Sequence, residues 1–262
     1  MGILETICEE RKGDVARSRR ERPPSSLERE AGPALPAFAR AGAGAARPLL
    51  ISECKKASPS RGLLVADYDP VRLAAAYERG GAGMVSVLTE PRRFLGSDDH
   101  LRAVRKAVAL PILRKDFLVD PYQVLEAWSI GADAILLIAA ALGEAQMLEL
   151  AAAARELGLS VLAEVHGADE IQKAAAASPD AIGVNSRDLR DFSVDPARAS
   201  ELIRDLPRSA LHVAESGMKS PEDAALLRAA GFEAFLVGEA LATAPDPEAS
   251  ARAFSVAIGA RP

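Results

Sequence analysis

Cysteine and aromatic residues are scarce in this chain of 262 residues. It has two cysteines and one tryptophan, and aromatic residues make up 4% of the total. Cys8 and Cys54 stand far apart, so they form neither a disulfide framework nor the paired spacing of a zinc site. The sequence therefore indicates a protein of a reducing compartment without a metal site, and we expect it in the cytoplasm.

An excess of basic residues and long apolar runs are also missing. The 32 lysines and arginines are outnumbered by 37 aspartates and glutamates, which gives a net charge of −5. This balance provides no broad positive surface for nucleic acid or an anionic membrane. No apolar stretch reaches the length of a membrane span, and the first residues are charged early, unlike a secretory signal. We expect no nucleic-acid partner and no membrane association.

From Pro48 onward, short apolar segments alternate with amphipathic ones. The apolar segments predict strands at residues 49–54, 83–88, 111–114, 133–138, 160–165, 180–184, 211–215 and 234–237. The amphipathic segments predict helices at residues 69–79, 98–107, 120–130, 143–157, 167–177, 196–205, 220–230 and 247–258. Proline at several helix starts and glycine after several helix ends support these bounds.

Eight strands alternating with eight helices predict an α/β fold, the (β/α)8 TIM barrel. An open doubly wound sheet is the alternative, but it rarely needs eight evenly spaced strands and normally shows a glycine-rich dinucleotide turn, which this sequence lacks. Residues 1–47 stand outside the repeat. They predict an N-terminal helical extension, with helices at 3–20 and 35–41 and a connector at 21–36, packed on a barrel domain of residues 48–262.

Charged and polar residues collect where the predicted strands end, which is the active-site face of a barrel. Strand 1 ends with Glu53 and Lys55, which alternation places on one face. Taken alone, this pair fits a surface ion pair equally well. Lysines and carboxylates that converge on one mouth shift one another's pKa values, as acid–base catalysis requires. The other ends carry Thr89, Glu90, Lys115, Phe117, Glu164, His166, Asn185, Arg187 and Glu215, of which Thr89 and Glu90 fit either the mouth or a solvated loop.

Three strand ends suggest how a ligand is held. Strands 7 and 8 run into Ser216-Gly217 and Gly238 before helical segments. Barrels of this kind commonly bind phosphate in these two loops, through backbone N–H groups. Strand 4 ends in the apolar residues 136–138, which suit the wall of a pocket for a hydrophobic ring.

Seven segments resemble one family in their order and spacing. They are ECKKASPSRG, SVLTEPRRFLGS, PILRKDF, AEVH, GVNSRDL, AESG and LVGEAL. The chain from residue 49 to 241 resembles the indole-3-glycerol phosphate synthases of tryptophan biosynthesis, and the N-terminal extension resembles theirs. The resemblance implies a carbon–carbon lyase that needs no metal or organic cofactor. Such an enzyme closes, decarboxylates and dehydrates 1-(2-carboxyphenylamino)-1-deoxyribulose 5-phosphate to indole-3-glycerol phosphate, carbon dioxide and water.

The resemblance also implies a role for each site residue. Lys115 matches the acid at the ketone oxygen, and Glu164, Glu53 and Lys55 match the groups that serve dehydration. How the two lysines divide the work stays open. Asn185 and Glu215 match residues that orient the substrate hydroxyls and the catalytic groups. The positions that match substrate and phosphate binding are Ser58, Phe117, Leu137, Arg187, Ser216, Gly217 and Gly238, with Phe117 and Leu137 expected on the anthranilate ring.

Two other functions fit the sequence less well. Phosphoribosylanthranilate isomerase, another phosphosugar barrel enzyme, needs a cysteine base on strand 1 and an aspartate acid on strand 6. Here Cys54 points away from the mouth and strand 6 ends in Asn185. A barrel that serves only as a scaffold has no reason to keep four charged residues in its mouth, namely Glu53, Lys55, Lys115 and Glu164.

Glu239 stands where some family members have serine near the phosphate. We expect a monomer or weak homo-oligomer, with other tryptophan-pathway enzymes as candidate partners.

Overall fold

Eight parallel strands form a closed barrel in the computed structural model, which describes residues 2–38, 48–187 and 196–260. The strands pair in sequence order, and the last one closes on the first with Ala234 opposite Leu49. The predicted TIM barrel is confirmed, and every strand begins and ends within one residue of its predicted bounds. The strands are β1 (Leu49–Cys54), β2 (Met84–Leu88), β3 (Ile112–Lys115), β4 (Ala134–Ile138), β5 (Ser160–Val165), β6 (Ala181–Asn185), β7 (Leu211–Glu215) and β8 (Ala234–Val237).

Helices cover the outside of the barrel. Side chains of Asp69, Ser97, Asp120, Ser220 and Asp246 accept backbone N–H groups at helix starts, so local sequence sets where these helices begin. No helix within the described ranges is long and apolar enough to cross a membrane. The helices are α1 (Ile3–Glu21), α2 (Pro70–Arg79), α3 (Asp98–Ala107), α4 (Pro121–Ser129), α5 (Glu144–Glu156), α6 (Ala168–Ala176), α7 (Pro196–Leu202), α8 (Pro221–Ala230), α9 (Glu239–Ala242) and α10 (Pro247–Ala257).

Side chains along each strand alternate between two apolar layers. Ile51 and Leu113 project into the barrel, whereas Leu50 and Ile112 pack outward under the helices. Because the period along a strand is two residues, Glu53 continues the inward column of Ile51. The same alternation fills the barrel with apolar side chains low down and leaves its carboxyl end to the charged residues.

The N-terminal residues extend from the barrel mouth towards the opposite end. α1 lies at the mouth, where the Arg11 guanidinium donates to Asp116 at 2.7 Å. Further along the chain, the Leu35 N–H donates to Asp133 at 2.8 Å, directly before β4 begins. Phe38 joins the apolar cluster inside the barrel. Residues 2–38 therefore contact both ends of the barrel.

The first predicted helix is confirmed, but the second is not. Residues 35–38 contain no helix, and residues 39–41 of the prediction lie outside the described residues. Leu35 precedes Pro36, which disfavours helical backbone at Leu35, and its N–H is already bonded to Asp133. The division of the chain at residue 47 stays a prediction, because the boundary also lies outside the described ranges.

A buried arginine ties β3 to its surroundings on the outer side of the barrel. Arg114 is 1% exposed, and its guanidinium donates to Asp98 at 2.9 Å and Glu126 at 2.8 Å. It also donates to the Thr89 hydroxyl, which in turn donates to Asp116. Arg114 directly precedes Lys115 at the end of β3, but alternation turns it outward, where it holds α3 and α4 against β3.

Replacing Arg114 with methionine should destabilise the protein strongly. The change leaves Asp98 and Glu126 without their buried counter-charge, which typically costs about 3–5 kcal/mol. Urea unfolding followed by circular dichroism measures this loss. The control is Arg72→Met, which breaks an exposed pair with Asp67 and should cost at most about 1 kcal/mol. Equal, small effects in both variants would show that the Arg114 network does not stabilise the fold.

Candidate active site

A cavity of about 700 Å³ opens at the carboxyl ends of the strands. Its walls come from all parts of the barrel and from α1, which contributes Ile3, Leu4 and Ile7. The structure thus brings together twelve of the thirteen predicted site residues: Glu53, Lys55, Ser58, Lys115, Phe117, Glu164, Asn185, Arg187, Glu215, Ser216, Gly217 and Gly238.

Lys115 stands between two buried carboxylates. Its Nζ lies 3.3 Å from Glu164 Oε2 and 3.5 Å from Glu215 Oε2. Burial disfavours the ammonium, but the negative charges of Glu164 and then Glu215 outweigh it and raise the pKa of Lys115. The lysine is therefore charged at neutral pH and can serve as a proton donor in the cavity.

The two carboxylates beside Lys115 differ in protonation. Burial, reinforced by the charge of Glu164, raises the pKa of Glu215. Burial also acts on Glu164, but the Lys115 ammonium, and after it His166, outweigh burial and lower the pKa of Glu164. Like charges this close do not both ionise readily. The pair therefore holds Glu164 as the carboxylate and favours the protonated acid at Glu215.

Glu53 and Lys55 form the second acid–base pair of the cavity. The Lys55 ammonium contacts Glu53 Oε2, and Glu53 is 2% exposed. Alternation along β1 and its extension predicts this shared face, and the prediction is confirmed. The alternative interpretation, a surface ion pair at the end of this strand, is wrong, because Glu53 is buried in the cavity wall.

Two glycines provide the space that the buried carboxylates occupy. A Cβ at Gly183 on β6 would overlap Glu215 Oε1 and lie 2.9 Å from its Cδ. A Cβ at Gly238 would overlap Glu53 Oε2 and lie 3.0 Å from Lys55 Nζ. Gly183 was not among the predicted site residues, although a glycine inside a strand pattern signals a close approach. Gly238 therefore has a packing role besides its predicted place in the phosphate loop.

The glycine loops after β7 and β8 line one end of the cavity. Ser216 and Gly217 have φ angles of 63° and 82°, so the chain turns sharply in left-handed conformation directly after Glu215. Both residues reach the cavity, as does Gly238. Glu239 also lines it, and its Oε1 lies 3.7 Å from Arg61 Nε. An arginine thus faces the acidic side chain of Glu239.

The apolar wall of the cavity differs from the prediction at Leu137. Leu137 is fully buried in the outer layer under the helices and does not reach the cavity. Its neighbours Leu136 and Ile138 line the cavity instead, because they share the inward face of β4. Phe117 lies near Phe94, with ring centroids 6.1 Å apart. The apolar wall exists, but its β4 residues are Leu136 and Ile138.

Both interpretations offered for Thr89 and Glu90 are wrong. Neither residue lines the cavity, and neither is solvated: Thr89 is 3% exposed and Glu90 is 0% exposed. Glu90 accepts the backbone N–H groups of Arg92, Arg93 and Phe94, so its carboxylate shapes the loop after β2. Glu90 thus fixes the loop after β2, and Thr89 donates to Asp116 beside Lys115, so both residues act on the structure around the cavity and not in it.

No group of three or more histidine, cysteine or acidic side chains is arranged to hold a metal ion in the part of the chain that the structure describes. Cys54 is fully buried in the layer under the helices, with its thiol directed at the Pro70 carbonyl oxygen. Burial raises the pKa of this thiol. A cysteine so placed cannot act as a base in the cavity, which removes the residue that the isomerase reaction needs.

The closed barrel and the charged cavity at its carboxyl end define a TIM-barrel enzyme. Solved structures show the same fold at low sequence identity. The chain superimposes on 3-hexulose-6-phosphate synthase from Salmonella typhimurium with a TM-score of 0.66 and 16% identity, covering 80% of this chain and 98% of that one. Orotidine 5'-phosphate decarboxylase from Pyrococcus horikoshii gives a TM-score of 0.62 at 16% identity, over 81% and 100% of the chains.

Sequence comparison identifies the family. The indole-3-glycerol phosphate synthase family matches residues 4–254. The curated synthase of Chlorobium phaeovibrioides is 46% identical over 245 residues, 92% of this chain and 95% of the relative. That of Azospirillum brasilense is 46% identical over 257 residues, 96% and 98% of the two chains. The chain belongs to the indole-3-glycerol phosphate synthase family.

Glu215→Gln should change how stability depends on pH. A carboxyl group whose pKa is raised by folding stabilises the protein below its unfolded pKa, about 4.3, and that contribution is lost as pH rises through the folded value. The variant lacks this dependence. Relative to the unaltered protein, the free energy of unfolding of the variant should therefore increase between pH 5 and pH 9, so that the variant becomes the relatively more stable of the two. Urea unfolding measures this difference. Glu156→Gln, at an exposed position on α5, controls for the loss of one carboxylate. A difference that is constant with pH would contradict the raised pKa of Glu215.

Proposed function

We propose that this chain is a carbon–carbon lyase acting as an indole-3-glycerol phosphate synthase in tryptophan biosynthesis. It converts 1-(2-carboxyphenylamino)-1-deoxyribulose 5-phosphate to indole-3-glycerol phosphate, carbon dioxide and water. The observation that carries this proposal is the Lys115 ammonium, kept charged between Glu164 and Glu215 in a cavity with an apolar wall and two glycine loops. Family membership supplies the substrate, and this geometry supplies the means of transforming it.

Ring closure is the step that needs an acid. The aromatic carbon that bears the carboxylate attacks the ketone carbon, and the ketone oxygen must gain a proton as the carbon–carbon bond forms. Lys115 is charged and faces the cavity, so it donates this proton. The positive charge that develops on the ring and its nitrogen is offset by the carboxylate that is about to leave.

Decarboxylation and dehydration complete the reaction. Loss of carbon dioxide returns the electrons of the carbon–carboxylate bond to the ring and restores its aromaticity. The new hydroxyl group then leaves as water with a proton from an acid, while a base removes a proton from the adjacent carbon. Glu164 is ionised and suits the base, and the Glu53–Lys55 pair lies in the same cavity to supply the acid.

The two ends of the substrate bind in different surroundings. The anthranilate ring packs on Phe117 together with Leu136 and Ile138, which form the apolar wall. The phosphate binds to backbone N–H groups of the loops after β7 and β8. Ser58 and Arg187 reach the same cavity and contribute polar contacts, and Asn185 orients the substrate hydroxyls.

This scheme requires proton transfers and charge stabilisation, which the side chains of the cavity supply without an organic cofactor or metal ion. We further infer a cytoplasmic enzyme that is a monomer or weak homo-oligomer and whose neighbours in metabolism are other tryptophan-pathway enzymes. The extension at residues 1–47 and the barrel at residues 48–262 act together, since α1 contributes to the cavity wall.

Purified protein should form indole-3-glycerol phosphate from the carboxyphenylamino-deoxyribulose phosphate without added metal. The indole product fluoresces, so the reaction is followed continuously in a fluorimeter, and release of carbon dioxide is measured alongside. Turnover with both signals in equal amounts is the expected result. Absence of product at any substrate concentration would overturn the proposed function.

Lys115→Ala should lower kcat by roughly 10²-fold or more, which is the usual contribution of a general acid. Lys106→Ala, on the exposed face of α3, is the matched control and should behave as the unaltered protein. Circular dichroism of both variants verifies that they fold. Near-normal turnover of the Lys115 variant would assign the acid role to another group, with Lys55 the next to replace.

A further inference from the structure

We propose that His166 is a positioning residue that keeps Glu164 ionised from outside the cavity while Lys115 gives up its proton. This inference rests on the proposed function, because it concerns the charge state of Glu164 during that reaction. His166 follows Glu164 by two residues at the end of β5 and is 8% exposed. It does not line the cavity, so it acts on the substrate only through Glu164.

Lys115 and His166 approach different oxygens of the Glu164 carboxylate. Lys115 Nζ lies 3.3 Å from Glu164 Oε2, whereas His166 Nε2 lies 3.4 Å from Glu164 Oε1. Neither ring nitrogen of His166 reaches hydrogen-bond geometry with another described residue. The imidazole therefore acts on Glu164 mainly through charge, in its protonated form, and not through a hydrogen bond.

Glu170 anchors the backbone of His166 and favours the charged form of its imidazole. The residue is in the first turn of α6, and its Oε2 lies 3.7 Å from His166 Nδ1. The same oxygen accepts the backbone N–H of His166 at 2.7 Å. Burial disfavours the imidazolium, but Glu170 and Glu164 outweigh it, and the pKa of His166 is raised. The histidine thus lies between two carboxylates that favour its charged form.

Other charged side chains also lie near this turn. Lys115, across Glu164, lowers the tendency of His166 to hold a proton. Lys173 on α6 donates to the carbonyl oxygens of Ala139 and Leu142, and so is directed elsewhere. Beside Gly167, Asp169 Oδ1 of α6 and Arg198 Nη2 of α7 lie 2.6 Å and 3.8 Å from the position that a Cβ would take, so one charge of each sign is present there. Glu164 and Glu170 are therefore the groups that favour the imidazolium.

The position of His166 explains how Glu164 keeps a counter-charge when Lys115 gives up its proton. Glu164 is 2% exposed, and a buried carboxylate without a counter-charge tends to take up a proton. When Lys115 transfers its proton to the ketone oxygen, Glu164 loses the positive charge that faces it. A second cation on the other oxygen keeps the pKa of Glu164 low. The proton of Lys115 then goes to the substrate rather than to Glu164, and Glu164 remains a base for the later step.

The charge coupling is measured without turnover. The chain has three histidines, so imidazole signals in an NMR titration are few and are assigned with single His→Gln variants. Glu170→Gln keeps an oxygen that accepts the His166 N–H but removes the negative charge. It should lower the titration midpoint of His166 by about 1 pH unit, the lower end of the effect of a charge at this distance. Midpoints of His166 that are unchanged in both Glu170→Gln and Glu164→Gln would overturn the inference.

The kinetic consequence is measured in the pH profile. His166→Gln should move the acid limb of kcat upward by about 1 pH unit or more and lower kcat more than it changes KM. His166→Lys restores a positive charge and should return the limb towards its original position. His212→Gln is the control, since that imidazole contacts the Pro207 carbonyl oxygen on the outer side of β7.

Two outcomes of the kinetic experiment would overturn the inference. One is an acid limb in His166→Gln that coincides with that of the unaltered protein. The other is an equal shift in His166→Gln and His166→Lys, which would point to packing rather than charge. Failure of the unaltered protein to turn over substrate would instead count against the proposed function, and the NMR titration would still decide whether His166 is coupled to Glu164 and Glu170.

Discussion

The site depends on one interaction, the ammonium of Lys115 held between the buried carboxylates of Glu164 and Glu215. Neither charge type is favourable in a protein interior alone, and together they fix each other's protonation. Lys115 stays charged, Glu164 stays ionised, and Glu215 is driven towards the neutral acid. Three strands must present these groups at the same height, and Gly183 must leave room for Glu215. A cavity with this composition keeps a protonated lysine in reach of a substrate oxygen, and ring closure requires a proton donor at that oxygen.

The surrounding structure keeps the end of β3 in position. Asp116, next to Lys115, accepts hydrogen bonds from Arg11 of α1, from the Thr89 hydroxyl and from the backbone N–H of Phe117. Arg114 fixes the other side of the strand against α3 and α4. The lysine is thus flanked by residues that are anchored to the N-terminal helix and to the helical layer, so its ammonium is directed into the cavity with little freedom.

Sequence patterns predict the barrel well because each signal is local. Apolar and amphipathic segments alternate eight times, and several helices carry a capping side chain or a terminal glycine. Alternation along β1 correctly places Glu53 and Lys55 together. The same rule, applied to β4, separates Leu136 and Ile138 from Leu137, and the structure has Leu136 and Ile138 on the inward face. Other features depend on contacts between residues that are distant in sequence. Nothing near Arg114 in the sequence indicates that its partners include Glu126. The two-residue spacing of Glu164 and His166 predicts a shared face, but not that His166 stays outside the cavity.

The central claim is that Lys115, rather than Lys55, delivers the proton to the ketone oxygen. A crystal structure with a substrate analogue in which the ketone is reduced to an alcohol tests it most directly, because the analogue binds without reacting. The account predicts Lys115 Nζ within about 2.6–3.2 Å of that oxygen, the distance at which a general acid acts. It also predicts the ring on Leu136 and Ile138, and the phosphate in the loops after β7 and β8. An analogue whose oxygen contacts Lys55 Nζ, with Lys115 still bonded only to Glu164 and Glu215, would contradict the claim.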